Sequence, residues 1–327
     1  MKMKTISPLV SFDQIKLLAD PRRMEIVRLL MSEPATLSQL GRAIGKHPAW
    51  IQHHMKALEA GGLVEIAEVR VTAGVTEKFY RAKAGGFLLQ EMILPHSEKP
   101  VLVFSGSHDL AIERLAEQLA RYVEILVHPV GSLDGLVNLR MGLCNASGAH
   151  LLDTTGEYNT PFVSRLFPDR RMHLVTLAHR TQGWMVAPGN PHQIRSAADL
   201  PRPGIRFINR NPGSGTRLWL DSELHRLGIA SSAIPGYEKI AQTHTQAASA
   251  IQSGQADAAL GLEAAAIQHG LDFVPLFAER YDLVLPDEQL KALAPLLDTL
   301  QTQTFRHGMD GLRGYDTSHT GEEIDMH

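Results

Sequence analysis

Apolar residues recur at helical spacing through the first sixty positions, and the period then changes. Asp20-Pro21 reads as an N-cap followed by proline at the first helical position. Met24, Ile26, Val27, Leu29, Leu30 and Met31 give the helix behind it an apolar face, which ends at Glu33-Pro34. Thr36-Leu37-Ser38-Gln39 has the form of a capping box, so a second helix starts there and runs through Leu40, Ala43 and Ile44 to the turn residue Gly45. A third helix is predicted from Pro48 to Ala60, with Ile51, Met55 and Leu58 inward and Gly61-Gly62 as its stop. Two β-rich runs follow, Leu63–Val71 and Thr76–Ala82, around Thr72-Ala73-Gly74. A short second helix, a glycine turn, a polar third helix and a hairpin make an α+β winged helix-turn-helix.

After a polar connector, PHSEKP at 95–100, strands and helices alternate. Val101–Phe104, Glu124–Val127 and Ala149–Leu152 read as strands, with helices from Asp109 to Arg121 and from Ser132 through Leu139. That alternation predicts a largely parallel α/β sheet. A second α/β unit starts near Gly183, with a strand at Gly204–Asn209, a loop at Arg210–Gly215, helices at Thr216–Leu227 and Ala247–Gly254, and a strand at Ala256–Gly261. Chain crossings near 175–183 and 274–285 would make two lobes with a cleft between them. The expected division is 1–94 for the winged helix, 95–100 for the linker, 101–321 for the two-lobed domain and 322–327 for a tail.

Composition narrows the function. Residues 1–94 carry 13 Lys/Arg against 9 Asp/Glu and the remainder is acidic, which suits nucleic-acid binding by the head alone. The single cysteine, Cys144, excludes an internal disulfide and any site built from several thiolates. No signal-type apolar run opens the chain and none of 18 residues follows, so a cytoplasmic protein with no membrane partner is expected.

Over residues 12–94 the chain resembles the ArsR-type winged helix family, on the stretch Trp50-Ile51-Gln52-His53-His54-Met55-Lys56-Ala57-Leu58 and the following Glu59-Ala60-Gly61-Gly62-Leu63-Val64. The resemblance implies that the third helix reads a major groove of operator DNA through Trp50, Gln52, His53 and Lys56. It also implies that Arg70, Lys78 and Arg81 of the wing touch phosphate. Gln suits adenine edges and Lys or Arg neutralises phosphate, so the chemistry agrees. A winged helix used for protein contacts is the alternative. Segment 37–44 lacks the paired cysteines of metal-sensing relatives, and His47, His53 and His54 lack carboxylate or thiolate companions, so no metal is expected. A homodimer is expected from paired half-site recognition.

The candidate ligand chemistry sits in Arg210-Asn211-Pro212-Gly213-Ser214-Gly215-Thr216-Arg217. A glycine-rich turn entering a helix offers free N–H groups and the positive dipole end to an anion. Ser214, Gly215 and Thr216 supply donors, and Arg210 or Arg217 a charge. The run is similar to the R-x-x-G-S-G-T turn of phosphate-type periplasmic binding proteins. Ser105, Ser107 and Ser132 lie at two further strand-to-helix turns, and the three turns together predict an anion cage. Asp109 and Asp134 stand beside it, either pointing outward in the first helical turn or facing the cleft, where the ligand would need donors. His108, His150 and His244 read as ligand donors or buried structural groups, and Trp184 and Tyr237 as ring-stackers or packing.

Across 101–321, Gly106-Ser107-His108-Asp109, Gly148-Ala149-His150-Leu151-Leu152-Asp153, Glu157-Tyr158-Asn159, Ala187-Pro188-Gly189-Asn190-Pro191 and Gly314-Tyr315-Asp316-Thr317-Ser318 resemble the solute-binding-type domain appended to some molybdopterin biosynthesis (MoeA-type) enzymes. That resemblance implies a two-lobed, type II periplasmic-binding-protein-like fold. It also implies an effector such as molybdate, tungstate or a pterin-type compound, with no cofactor. No Ser-His-Asp order or H-E-x-x-H motif stands out, and no enzyme is expected.

Overall fold

The computed structural model describes residues 5–9, 11–72, 75–89 and 92–326, so the Ala73-Gly74 tip of the wing lies outside the described residues. The chain forms two compact units, residues 1–93 and 94–327.

The first unit runs β1 (Ile6–Pro8), α1 (Phe12–Leu18), α2 (Pro21–Ser32), α3 (Leu37–Ile44), α4 (Pro48–Ala60), β2 (Val64–Thr72), β3 (Val75–Ala82) and β4 (Gly86–Leu88). Its helix starts are closed by the residues the sequence nominates. Asp20 accepts the Arg22 N–H, and Thr36 and Gln39 complete the reciprocal capping box at 3.2 and 2.7 Å. Gly45 ends α3 with φ +69°, the left-handed conformation that favours glycine. Ile26, Val27, Leu30, Leu40, Ile51, Met55, Leu58 and Leu63 form the buried centre. β2 and β3 pair antiparallel as the wing. The short α1 and the parallel β1–β4 pair were not anticipated. Each is small, and α1 has no fully buried residue to mark an apolar face.

The second unit starts with β5 (Val101–Gly106), α5 (Leu110–Leu119), β6 (Glu124–Pro129), α6 (Ser132–Arg140), β7 (Ala146–Ala149), α7 (Thr160–Leu166) and β8 (Met172–Val186). It continues with β9 (Asn209–Arg210), α8 (Gly215–Arg226), β10 (Ile240–Ala241), α9 (His244–Gln252), β11 (Ala258–Leu262), α10 (Glu263–Gln268) and β12 (Asp272–Pro286). Last come α11 (Leu290–Leu300), α12 (Gln303–Met309), β13 (Tyr315–Asp316) and β14 (Glu323–Ile324). The large sheet has the order β11-β8-β12-β7-β5-β6, with β13 and β14 also paired to β8.

β8 and β12 are the two expected crossings. Each has 15 residues, roughly 50 Å of extended chain, long enough to run through both lobes. They pair antiparallel along nearly their whole length, so the sheet is mixed rather than largely parallel: only β5, β6 and β7 follow the parallel rule. One buried core lies under β5, α5, α11 and α12. Two more, around Trp184, Phe207 and Leu220 and around Met185, Ala247 and Ile251, fill the other lobe.

β7 falls at 146–149 rather than 149–152, because beyond Ala149 the chain leaves the sheet and Leu151 N–H bonds the Asn159 side chain instead. The predicted strand at 204–209 shortens to β9 because the stretch before it is tied by a single bridge, Phe207 to Ala258 at the start of β11, and the ladder with β10 begins only at Asn209. Residues read as a tail contribute β14. Its Glu323 and Asp287 flank the ring of His173 at 2.5 and 2.9 Å, with Arg171 also 3.7 Å from Asp287.

Burial of His173 opposes protonation, but the two carboxylates outweigh it and hold the pKa above the ordinary value. The linkage sign is then fixed. This clasp contributes fully below about pH 6.5, and its contribution is lost as pH rises through the raised folded pKa. The protection factors of the Glu323 and Ile324 amides, taken relative to the intrinsic exchange rate at each pH, are expected to fall over that interval in the natural protein. In His173→Gln they should be low and flat with pH.

Candidate functional site

In the head, α4 presents Gln52, His53 and Lys56 to solvent along one face, while Ile51, Met55 and Leu58 anchor the other. Proline at the first helical position and His47, whose Nδ1 accepts the Ala49 N–H at 3.2 Å, set the start of this helix. Trp50 does not stand free: it is half-buried, with its ring 4.2 Å from that of His54. His54 is itself buried, and burial lowers its pKa. Of the three histidines expected to be solvated, only His53 is a freely exposed side chain, because His47 caps and His54 packs. Arg70, Lys78 and Arg81 are exposed on the wing, but two of them are engaged. Arg70 forms a two-pronged pair with Glu68 at 2.9 and 2.8 Å, and Arg81 meets Glu65 across the strands at 2.7 Å.

The second site lies in the two-lobed unit, where the three predicted turns converge on one residue. Ser107 Oγ is 2.9 Å from His150 Nε2, and Ser132 Oγ accepts the His150 backbone N–H at 3.2 Å. Gly215, at the start of α8 on the opposite lobe, lies so close that a Cβ there would come 2.5 Å from the His150 carbonyl and 2.6 Å from its Nδ1. The lobes touch directly. Leu133 N–H donates to Gly213 O at 3.2 Å, and Asn211 Nδ2 donates to Val130 O at 2.6 Å. The start of α8 is ordered as its sequence predicts: Ser214 Oγ accepts the Arg217 N–H and donates to Asn211 O, and Thr216 Oγ1 accepts from Gln182.

Four candidates are engaged within their own lobe. Ser105 Oγ is taken by Asn138 Nδ2 at 3.0 Å, inside its own lobe. Arg217 stacks on Tyr237 at 4.3 Å and donates to the Arg210 carbonyl, while the Tyr237 hydroxyl donates to Asp221. Both belong to the lobe core, where a long cation covers an aromatic face. Trp184 is wholly buried among Phe207 and Leu260 and presents no face to a ring. Asp134 is exposed, and its carboxylate lies against Gly213 of the opposite lobe, with Oδ2 3.3 Å from where a Cβ there would stand. Asp109 is not: it is 1% exposed, caps Ala111 N–H at 2.7 Å, accepts from Tyr315 at 2.8 Å and pairs with Arg180.

Arg180, Gln182 and Glu279 were not nominated from the sequence. They sit where the two crossing strands face each other, Glu279 directly opposite Arg180. Glu279 Oε1 accepts from Arg180 Nε at 2.7 Å and Gln182 Nε2 at 2.8 Å, while Oε2 faces His150 Nδ1 at 2.8 Å. Burial alone would raise its pKa, but Arg180 and His150 bring it down to about 2, so it is ionised. The His150 pKa is also pushed down, chiefly by burial and further by the two guanidiniums, which favours the neutral imidazole. The signal that could have found this cluster is alternation: Arg180 and Gln182 are two apart in one strand, which places a charged and a polar side chain on the same face.

Arg210 is the group without a counterion. It is 1% exposed and donates only to the Ala241 and Gln242 carbonyls, at 3.2 and 3.0 Å, while its Nη1 has no partner. Burial, then repulsion from Arg180, pulls its pKa down to about 9. Arg180 Nη2, Gln182 Oε1 and both ring nitrogens of His244 are likewise buried without partners. Unsatisfied buried polar atoms are costly, and so many in one cluster call for a ligand. A cleft of 340 Å³ opens beside His150, Gly215 and Glu279, lined by Tyr158, Phe162, Trp219 and Phe277. Among the described residues no group of three or more His, Cys, Asp or Glu is arranged to hold a metal, and no helix is long and apolar enough to cross a membrane.

A model for a PBP superfamily domain matches residues 113–301, and a model for a helix-turn-helix domain matches residues 18–67. The uncharacterized protein YvgK of Bacillus subtilis (strain 168) is 35% identical over 229 residues, which cover 69% of this chain and 74% of YvgK. An uncharacterized protein in the ferredoxin 2Fe-2S gene 5′ region of Clostridium pasteurianum is 37% identical over 108 residues, 32% of this chain and 96% of that protein. Among solved structures, the sulfate-binding protein SubI from Mycobacterium tuberculosis H37Rv is similar at 15% identity with a TM-score of 0.48, covering 66% of this chain and 86% of SubI.

Proposed function

The chain belongs to the PBP superfamily and carries a helix-turn-helix domain ahead of that fold, and we propose that it is a cytoplasmic DNA-binding transcriptional regulator governed by a small anionic effector. Arg210 carries the ligand half of this reading. A buried guanidinium without a carboxylate, beside the N-terminus of α8, is stabilised by an anion and by little else. The aromatic cleft beside His150, Gly215 and Glu279 favours an effector with a ring, a pterin-type compound of molybdenum-cofactor chemistry, over bare molybdate or tungstate.

In the head, Gln52, His53 and Lys56, flanked by Trp50, read the groove, while Arg70, Lys78 and Arg81 contact phosphate after Arg70 and Arg81 exchange their carboxylate partners for it. A homodimer matches the two half-sites of an operator. Effector binding shifts the DNA equilibrium by no more than its differential affinity for the two states, typically ~1–3 kcal/mol. The glutamates that neutralise Arg70 and Arg81 favour one other reading, a winged helix that contacts protein.

The test is a thermal-shift screen with pterins, molybdate, tungstate, phosphate and sulfate, paired with binding to the DNA upstream of the gene. An effector at 100 times its Kd is expected to add ~2.7 kcal/mol to native stability, and Arg210→Met to lose that gain. Lys56→Ala should weaken DNA binding and reduce the salt slope by about one. If Arg210→Met keeps the full shift, the site is misplaced. If DNA binding is absent or indifferent to salt, the protein-contact reading replaces the regulator.

A further inference from the structure

We propose that the anion held in this cleft brings a hydrogen-bond donor of its own, an O–H or N–H directed at Ser107. The inference rests on the anion reading above and deepens it, by assigning where each proton in the site lies.

The assignment starts at Glu279. Its two oxygens are surrounded by Arg180 Nε, Gln182 Nε2 and His150 Nδ1, all within 2.8 Å. An ionised carboxylate only accepts, so the hydrogen between it and His150 belongs to Nδ1. His150, buried and beside two guanidiniums, carries no second proton, which leaves Nε2 as a bare lone pair. Ser107 Oγ, 2.9 Å away, must therefore be the donor in that contact. A hydroxyl has one hydrogen. With that hydrogen turned toward His150, only its lone pairs remain for a ligand.

Gln182 repeats the pattern. Its Nε2 serves Thr216 Oγ1 at 3.0 Å and Glu279 at 2.8 Å, which uses both amide hydrogens. Because Glu279 cannot donate, the amide cannot be turned round, and Oε1 is a buried acceptor with no partner. The cluster thus holds acceptors at Ser107 and Gln182 beside unpartnered donors at Arg180 Nη2 and Arg210 Nη1. A fully deprotonated tetrahedral dianion satisfies the guanidiniums and sets its own lone pairs against the acceptors. An anion that keeps a proton satisfies both. Ser107, His150 and Glu279 also have the connectivity that activates a serine nucleophile, so the test must separate recognition from acyl transfer.

The probes are inorganic phosphate, which retains a proton at neutral pH, and sulfate, which is of like shape and has none. Calorimetry on the full chain is expected to give phosphate a preference of about 100-fold over sulfate. In Glu279→Gln the new amide keeps an oxygen for Arg180 and Gln182 and offers N–H to His150 Nδ1. The imidazole proton then moves to Nε2, and the Ser107 hydroxyl is freed to donate outward. The preference should fall at least tenfold, with sulfate gaining, and Ser107→Ala should lower it by a similar factor, leaving the part that Gln182 contributes. Histidine ¹⁵N spectra read the tautomer directly: Nδ1–H in the natural protein, Nε2–H in Glu279→Gln.

Equal affinities for the two anions, tighter sulfate, or His150 protonated at Nε2 in the natural protein would each overturn the inference while leaving the anion site intact. Binding of neither anion would overturn the inference, and the anion reading would fall with it only if the thermal-shift screen with pterins, molybdate and tungstate were also blank. Should Glu279→Gln not fold, Ser107→Ala and the natural protein's tautomer decide. A burst of product from an activated ester, abolished in Ser107→Ala, would make Ser107 a nucleophile instead.

Discussion

Gly215→Ala is expected to weaken effector binding by about 10- to 100-fold while leaving the unliganded fold as stable as before. The added methyl would lie 2.5–2.7 Å from the His150 carbonyl and ring, far inside contact distance, and both obstacles are held in place. The carbonyl belongs to backbone pinned through the His150 N–H to Ser132, and the ring is bonded at both nitrogens. Overpacking of this kind costs about 1–3 kcal/mol, and each 1.4 kcal/mol is tenfold in affinity. The clash exists only when α8 of one lobe meets the end of β7 of the other, so the cost falls on lobe closure. The residue is helical, and alanine there favours the helix by up to about 1 kcal/mol. Titration calorimetry should therefore report lost affinity, small-angle scattering should show lobes that fail to close with effector, and the unliganded Tm should hold or rise. A fall in unliganded Tm of several degrees with affinity unchanged would mean that the 215–150 contact serves folding and not closure.

What the sequence made legible divides along a physical line. Helix starts, glycine turns and long crossing strands are governed by residues near one another in the chain. The Thr36–Gln39 box, Gly45, the Ser214 cap and the β8–β12 crossings accordingly stand where pattern places them. The convergence of Ser107, Ser132 and Gly215 also followed from local chemistry, since each marks a strand-to-helix turn.

The electrostatic centre was not legible. Arg180 and Glu279 are 99 residues apart and meet only because two antiparallel strands share a register, which no local motif encodes. The same blindness misplaced Arg217. Beside Arg210 in the motif it reads as a second anion ligand, yet the turn of α8 carries it over Tyr237, while Arg210 is buried against the Ala241 and Gln242 carbonyls. Asp109 misled for a related reason. As a helix cap it belongs at the surface, but its second oxygen answers the charge of Arg180, so both are buried together.

Arg180→Met should produce the largest loss of stability, about 3–5 kcal/mol at neutral pH, because it strands two buried carboxylates while keeping the volume of the side chain. Asp109 and Glu279 are 1% and 3% exposed, and Arg180 is bonded to both. In the natural protein the depressed pKa of Glu279, about 2, contributes stability that is present above pH 4.5 and is lost as pH falls toward 2. Removing the guanidinium reverses that dependence. The buried Glu279 carboxyl is then disfavoured as an anion, its folded pKa rises above the unfolded one, and folding takes up a proton. The variant should accordingly gain stability relative to the natural protein as pH is lowered from 8 to 5. Denaturant titrations at pH 5, 6.5 and 8 measure this. A penalty that stays constant with pH would show that the cost is lost packing against Tyr281, whose ring lies 4.3 Å from the guanidinium, and that the charges of Asp109 and Glu279 are satisfied without it. Combining Arg180→Met with Glu279→Gln discriminates further. If the stranded charge is the cause, the double variant should be more stable at pH 8 than Arg180→Met alone, a non-additivity that independent sites would not give.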